Sequence, residues 1–172
     1  MRVVRICGLG GQGVVLAGQL LGAAAARQWK FVVQTQSYGS AARGGASRAD
    51  VTVSNQPIME LAPPRYDFLI AMSQPAHNAY IAGLSPDGIL LYERDMVKPS
   101  FEGRKVGVAA MRIAKERFGS VMFANMVMLG AFCAVTGFVS LDAVKDELRE
   151  RGVKRLEENL GALEAGAAAV AH

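Results

Sequence analysis

A short, β-branched apolar run from Val3 to Cys7 leads straight into Gly8-Leu9-Gly10-Gly11-Gln12-Gly13 and then into an alanine-rich stretch. Few architectures accommodate that order. A short, mostly apolar run bounded by turn residues reads as a strand buried on both faces. Glycines at the spacing G-x-G-x-x-G make a tight turn. Val14 to Gln28 is a strong helix former interrupted only by Gly18 and Gly22. Those two glycines share one helical face, which lets the helix lie very close to a sheet. Strand, turn and helix form the first half of a βαβ unit, and Phe31 to Gln36 reads as the second strand.

The rest of the chain extends this pattern. From Ala49 to Val53, Ala49, Val51 and Val53 share one face while Arg48, Asp50 and Thr52 take the other, which predicts a half-exposed strand. Asp67 to Met72 is a buried strand and Pro75 to Ala82 a short helix. Ser85-Pro86-Asp87-Gly88 reads as a turn with glycine at the positive-φ position. Ile89 to Tyr92 and Lys105 to Ala109 are further strands. Met111 to Phe118 is helical and closed by Gly119, Ser140 caps a helix over Leu141 to Arg151, and a last helix runs from about Val153 to Ala169. Val121 to Val139 lacks charge and has about the minimum length of a membrane span. Asn125, Thr136 and Gly137 near its ends, and the missing aromatic belt, mark it instead as a buried core helix. With no repeat or linker, residues 1–172 read as one α/β unit. The expected fold is a single Rossmann-like three-layer domain with a mostly parallel sheet and a helical C-terminal segment.

Composition narrows the chemistry. The 172 residues are 51% hydrophobic and 20% charged, enough apolar material for a packed core, with a net charge of +4. No basic tract supports nucleic-acid binding. Two distant cysteines, Cys7 and Cys133, and two histidines, His77 and His172, provide no zinc, disulfide or four-thiolate iron–sulfur framework. No catalytic or metal-ligating residue is assigned. The N-terminus lacks the layout of a secretory signal, and a cytoplasmic setting is expected.

Two loops concentrate the binding chemistry. In the first, Gly8, Gly10, Gly11, Gln12 and Gly13 allow a close backbone approach, and the helix that follows offers free N–H groups to an anion. A nicotinamide dinucleotide fits poorly, because no acidic residue lies between Gly13 and Asp50 to hold ribose hydroxyls. A Walker-type loop fails too, since Val14 and Val15 follow Gly13. In the second, running from Ser37 to Arg48, the candidate contacts are Ser37, Tyr38, Arg43, Gly44, Gly45 and Arg48. Guanidinium forks among glycines suit phosphate or carboxylate, though the same residues suit a solvated surface or a protein interface. A tight turn without a ligand is the alternative for the first loop.

The segment Gly8-Leu9-Gly10-Gly11-Gln12-Gly13-Val14-Val15-Leu16-Ala17-Gly18 resembles the opening of the gamma subunit of 2-oxoacid:ferredoxin oxidoreductases. So does Gln34-Thr35-Gln36-Ser37-Tyr38-Gly39, running into Ala42-Arg43-Gly44-Gly45-Ala46-Ser47. Asn125-Met126-Val127-Met128-Leu129-Gly130 and the terminal helix around Asn159 and Gly166 extend the likeness over nearly the whole chain. The resemblance implies an accessory subunit of a cytoplasmic enzyme that oxidatively decarboxylates a 2-oxoacid to an acyl-CoA and passes electrons to ferredoxin. It implies coenzyme A as a shared ligand, no cofactor held by this chain alone, and thiamine diphosphate, Mg²⁺ and iron–sulfur clusters on partner subunits. Those partners would be alpha, beta and a further delta subunit, with ferredoxin met through the complex. The Gln34-Thr35-Gln36-Ser37-Tyr38-Gly39 form leans toward 2-oxoglutarate. A freestanding nucleotide- or phosphate-binding domain and a purely structural subunit are the competing expectations.

Overall fold

The computed structural model describes residues 1–38 and 45–171. β1 (Arg2–Leu9), with Val3 to Gly8 buried, lies inside a six-stranded sheet of order β2-β3-β1-β4-β5-β6. The other strands are β2 (Phe31–Ser37), β3 (Ala46–Ser54), β4 (Tyr66–Ala71), β5 (Leu84–Glu93) and β6 (Arg104–Val108). β1, β4, β5 and β6 pair in parallel, whereas β3 runs antiparallel to both β1 and β2. The helix α1 (Val14–Ala25) therefore carries the chain past one strand position, and β3 fills the gap on the way back.

Helices cover the two faces unequally. On one side, α1, α3 (Ala110–Phe118), α4 (Ala124–Thr136), α5 (Leu141–Arg151) and α6 (Leu156–Ala169) share one large core with Val4, Ile6, Val51 and Leu91. On the other, α2 (Gln74–Tyr80) packs over a smaller cluster that includes Val3, Cys7 and Leu69. The expected three-layer, mostly parallel α/β domain with a helical C-terminal segment is what forms. Among the described residues no helix is long and apolar enough to cross a membrane. The uncharged 121–139 segment becomes a short 3₁₀ turn followed by α4, buried from Ala124 to Cys133.

Close backbone approaches set the packing. A Cβ on Gly18 would sit 2.5 Å from that of Ala49, so α1 does lie tight on β3 as its glycines predict. α4 and α6 approach more closely still. A Cβ on Gly130 would overlap the Leu163 carbonyl, and one on Gly166 the Val127 carbonyl. The predicted Ser140 cap is present, its hydroxyl accepting from the Ala143 N–H at 3.1 Å. Gly119 closes α3 at φ 83°.

Three local expectations are corrected. β3 is buried on both faces rather than half exposed, because Arg5 stands opposite Asp50 in the register and the two form a bidentate pair at 2.7 and 2.8 Å. Their exposures are 6% and 3%, and the Arg5 guanidinium lies 4.5 Å from the Tyr66 ring and 5.1 Å from that of Tyr80. Burial opposes the Arg5 charge, but Asp50 and Tyr66 together outweigh it and raise the pKa above the ordinary arginine value. Residues 85–88 do not end an element. They form a bulge within β5, where the partner of Tyr66 is Leu84 but that of Phe68 is Ile89, and Gly88 lacks the expected positive φ. The last helix begins at Leu156 rather than Val153.

Two stability outcomes follow. Gly166→Ala forces α4 and α6 apart and should cost about 1–3 kcal/mol, a fall in melting temperature of roughly 3–10 °C for a chain of this size, measurable by circular dichroism. Asp50→Ala strands a buried guanidinium and should cost ~3–5 kcal/mol in urea unfolding, whereas the joint Arg5→Leu, Asp50→Leu variant should cost clearly less.

Candidate functional site

β1 and β4 are parallel neighbours whose following helices, α1 and α2, leave toward opposite faces. That divergence opens a crevice beyond the carboxyl ends of the two strands, the usual ligand position in an open α/β sheet. The glycine turn sits there. Gly11 and Gly13 adopt φ values of 86° and 73°, which side chains disfavour. The Gln12 N–H donates to the Leu9 carbonyl at 3.2 Å. Its side-chain amide spans the crevice, with Oε1 accepting from the Leu9 N–H at 2.7 Å and Nε2 donating to the Met72 carbonyl at 3.1 Å. Gln12 is thus a brace whose polar ends are both engaged within the protein.

Behind the turn stands Asn125, at the start of α4. Its Nδ2 donates to the Gly13 carbonyl at 3.2 Å, and any Cβ at Gly13 would collide with that amide. The turn is held from two sides and leaves the N-terminus of α1 open. Gly13 is the N-cap and supplies no side-chain cap. The first N–H groups of a helix have no intrahelical acceptor, and they carry the positive end of its dipole.

Two hollows flank the turn. One, of about 320 Å³, is lined by Gly10, Gly11, Gly13, Tyr38 and Ser47 along with apolar side chains of β1 and α1. The other, of about 170 Å³, lies across Gly11 and Gln12 and is lined by Ser120 and the methionines Met72, Met111 and Met122. Tyr38 is 70% exposed at the mouth of the first. Its hydroxyl accepts from Gln36 Nε2 at 3.3 Å, and Gln36 accepts in turn from Gln34 Nε2 at 3.3 Å.

The expected site residues divide. Gly10, Gly11, Gly13 and Tyr38 meet in one groove. Gly8 ends β1, paired with Ser47, and Gly45 turns into β3 at φ 69°. Ser37 and Arg48 are register partners. Strand alternation puts them on the α2 face, where the Arg48 guanidinium lies 5.7 Å from the Tyr80 ring, away from the glycine turn. Arg43 and Gly44 lie outside the described residues. Sequence reasoning missed Ser47 and Asn125 as contributors. Ser47 belongs to β3 rather than to a loop, and its face becomes apparent only once β3 pairs with β1.

No nucleophile is poised here. Burial pushes the Cys7 thiol far above its ordinary value and that of Cys133 up to about 12. His77 is fully buried, its Nε2 accepting from the Ser100 N–H at 3.2 Å, so it secures the segment after β5 to α2. Among the described residues no group of three or more His, Cys, Asp or Glu is placed to hold a metal ion.

Residues 3–169 match the family model described as pyruvate ferredoxin/flavodoxin oxidoreductase. Subunit KorC of 2-oxoglutarate synthase from Methanothermobacter thermautotrophicus is 42% identical over 95% of this chain and 92% of its own length. Subunit VorA of ketoisovalerate oxidoreductase from the same organism is 35% identical over 95% of this chain, which spans only 35% of that relative. The crystal structure of a keto/oxoacid ferredoxin oxidoreductase gamma subunit from Geobacter sulfurreducens superposes with a TM-score of 0.86 at 34% identity, covering 99% of this chain and 98% of that one. With sequence and fold matched end to end, the chain belongs to the pyruvate ferredoxin/flavodoxin oxidoreductase family, as a gamma-type subunit of a 2-oxoacid:ferredoxin oxidoreductase.

Proposed function

We propose that this subunit serves an enzyme acting on 2-oxoglutarate, and that its glycine turn helps to hold coenzyme A at the shared active site. The observation that carries the second part is the open N-terminus of α1 above a groove of about 320 Å³ lined by Gly10, Gly11, Gly13, Tyr38 and Ser47. Main-chain N–H groups and a helix dipole end attract phosphate without any basic side chain. The apolar walls beside them suit the uncharged portion of a large ligand. The likeness to KorC, a 2-oxoglutarate synthase subunit, supports the choice of oxoacid.

In this reading the decarboxylation chemistry belongs to the partners. Alpha, beta and delta subunits carry thiamine diphosphate, Mg²⁺ and the iron–sulfur clusters, and ferredoxin docks on the assembled complex. Two buried cysteines give this chain no means of ligating a four-thiolate cluster by itself. Its contribution is to shape one wall of the site and present anion-binding main chain there.

The assembled complex should reduce ferredoxin in a coenzyme A-dependent way, with kcat/KM highest for 2-oxoglutarate when compared with pyruvate and 2-oxoisovalerate. Gly10 has open space where a side chain would go. Gly10→Asp should therefore leave assembly intact and raise the coenzyme A dissociation constant at least ~10-fold through like-charge repulsion, while Gly10→Ala changes it little. Equal coenzyme A affinity in wild type and Gly10→Asp would remove the turn from the ligand site. Tight binding by the isolated chain would favour a freestanding nucleotide-binding domain.

A further inference from the structure

The far edge of the sheet carries a second groove, unrelated to the glycine turn. It runs beside β6 with a volume of about 510 Å³, floored by Val106 and Gly107 and walled by the C-terminal ends of α4 and α6. Its two charged lining residues are Arg94 and Arg104. Both are exposed, and among the described residues neither has an acidic partner within 4.0 Å. Arginines elsewhere in the described chain engage carboxylates, as do Arg5, Arg27 and Arg112, aromatic rings, as do Arg2, Arg48 and Arg117, or neutral oxygens, as do Arg65 and Arg151. The two without a partner thus line the same groove.

β6 is an edge strand, and its outward main chain is defined. Val108 turns its carbonyl inward, where it accepts from the Arg94 N–H at 2.9 Å. By alternation, the N–H and C=O groups of Lys105 and Gly107 face the open edge. Arg104 begins the strand and Arg94 is bonded at its end, so the two backbone positions are separated by the length of β6, roughly 13 Å at strand rise. An extended peptide laid along β6 runs that distance in about four residues. Charged residues also blunt bare edges, but blunting needs neither a groove nor two unpaired guanidinium groups across it.

We propose that this groove receives an extended acidic segment of a neighbouring subunit, laid along β6 as a seventh strand. Its main chain pairs with Lys105 and Gly107, and carboxylates about four residues apart engage Arg94 and Arg104. The proposal stands apart from the reading of the glycine turn, and assembly tests it rather than turnover.

In the purified complex carrying Arg104→Lys, zero-length carbodiimide coupling followed by peptide mass spectrometry should join the new amine to an Asp or Glu of another subunit. The Arg94→Glu, Arg104→Glu variant should raise the dissociation constant of this chain from the complex at least ~10-fold at low salt, with the gap narrowing at high salt. The Arg94→Lys, Arg104→Lys variant should retain most of the affinity. Melting of each full-length variant confirms that the fold is kept. Equal dissociation constants for the wild type and the charge-reversed variant overturn the proposal, and so does coupling at position 104 to a second copy of this chain.

Discussion

The side-chain amide of Asn125 rests against the main chain at Gly13, closer than any residue bearing a Cβ permits. This contact joins the buried helix α4 to the exposed turn after β1. α4 is itself fixed by the glycine-mediated crossing with α6, where Gly130 and Gly166 each face the other helix's carbonyls. A continuous line of backbone-level contacts therefore runs from residue 13 through 125 and 130 to 166. Late segments of the chain are thereby part of the site's foundation. The same line explains why the motifs at Gly8, Asn125 and Gly166 occur together, since each is the packing partner of the next.

Local signals were legible wherever the chain's own neighbours decide its conformation. The strand, glycine turn and helix at the N-terminus, the Ser140 cap and the Gly119 stop all form as read, because turn chemistry and capping act within about four residues. What escaped was set at long range. Asp50 reads as solvent-facing until Arg5, 45 residues earlier, is placed opposite it by an antiparallel register. The same register decides that Ser47, not Arg48, looks into the groove, and a one-residue offset reverses which side chain meets a ligand. Proline and glycine at 86 and 88 signal a turn between elements, yet pairing with β4 on either side keeps them within one strand as a bulge.

These long-range facts change the electrostatic character of the site. Sequence alone suggested guanidinium groups closing over the glycine loop. In the folded chain, Arg5 is neutralised by Asp50 and Arg48 lies against Tyr80 on the opposite face. Within the described residues, what the turn itself presents is main-chain N–H groups and the α1 dipole, which are short-ranged and directional. Such a site selects by geometry and works best where water is excluded, because the partial charges at a helix end are readily screened in open solvent. An exposed groove with Tyr38 standing free at its mouth lacks that exclusion by itself.

Burial of the turn against another surface would supply it. VorA holds the homologous domain within a chain nearly three times as long, so neighbouring structure is covalently present there. The present chain's thiols are sequestered and its one described histidine is spent on packing. What it offers a complex is shape: a rigid turn braced by Gln12 at one end of the sheet, and unpaired arginines along β6 at the far edge. An anion site of the kind proposed, assembled from main chain, would gain strength where a partner surface excludes water, and docking and ligand binding would then reinforce each other.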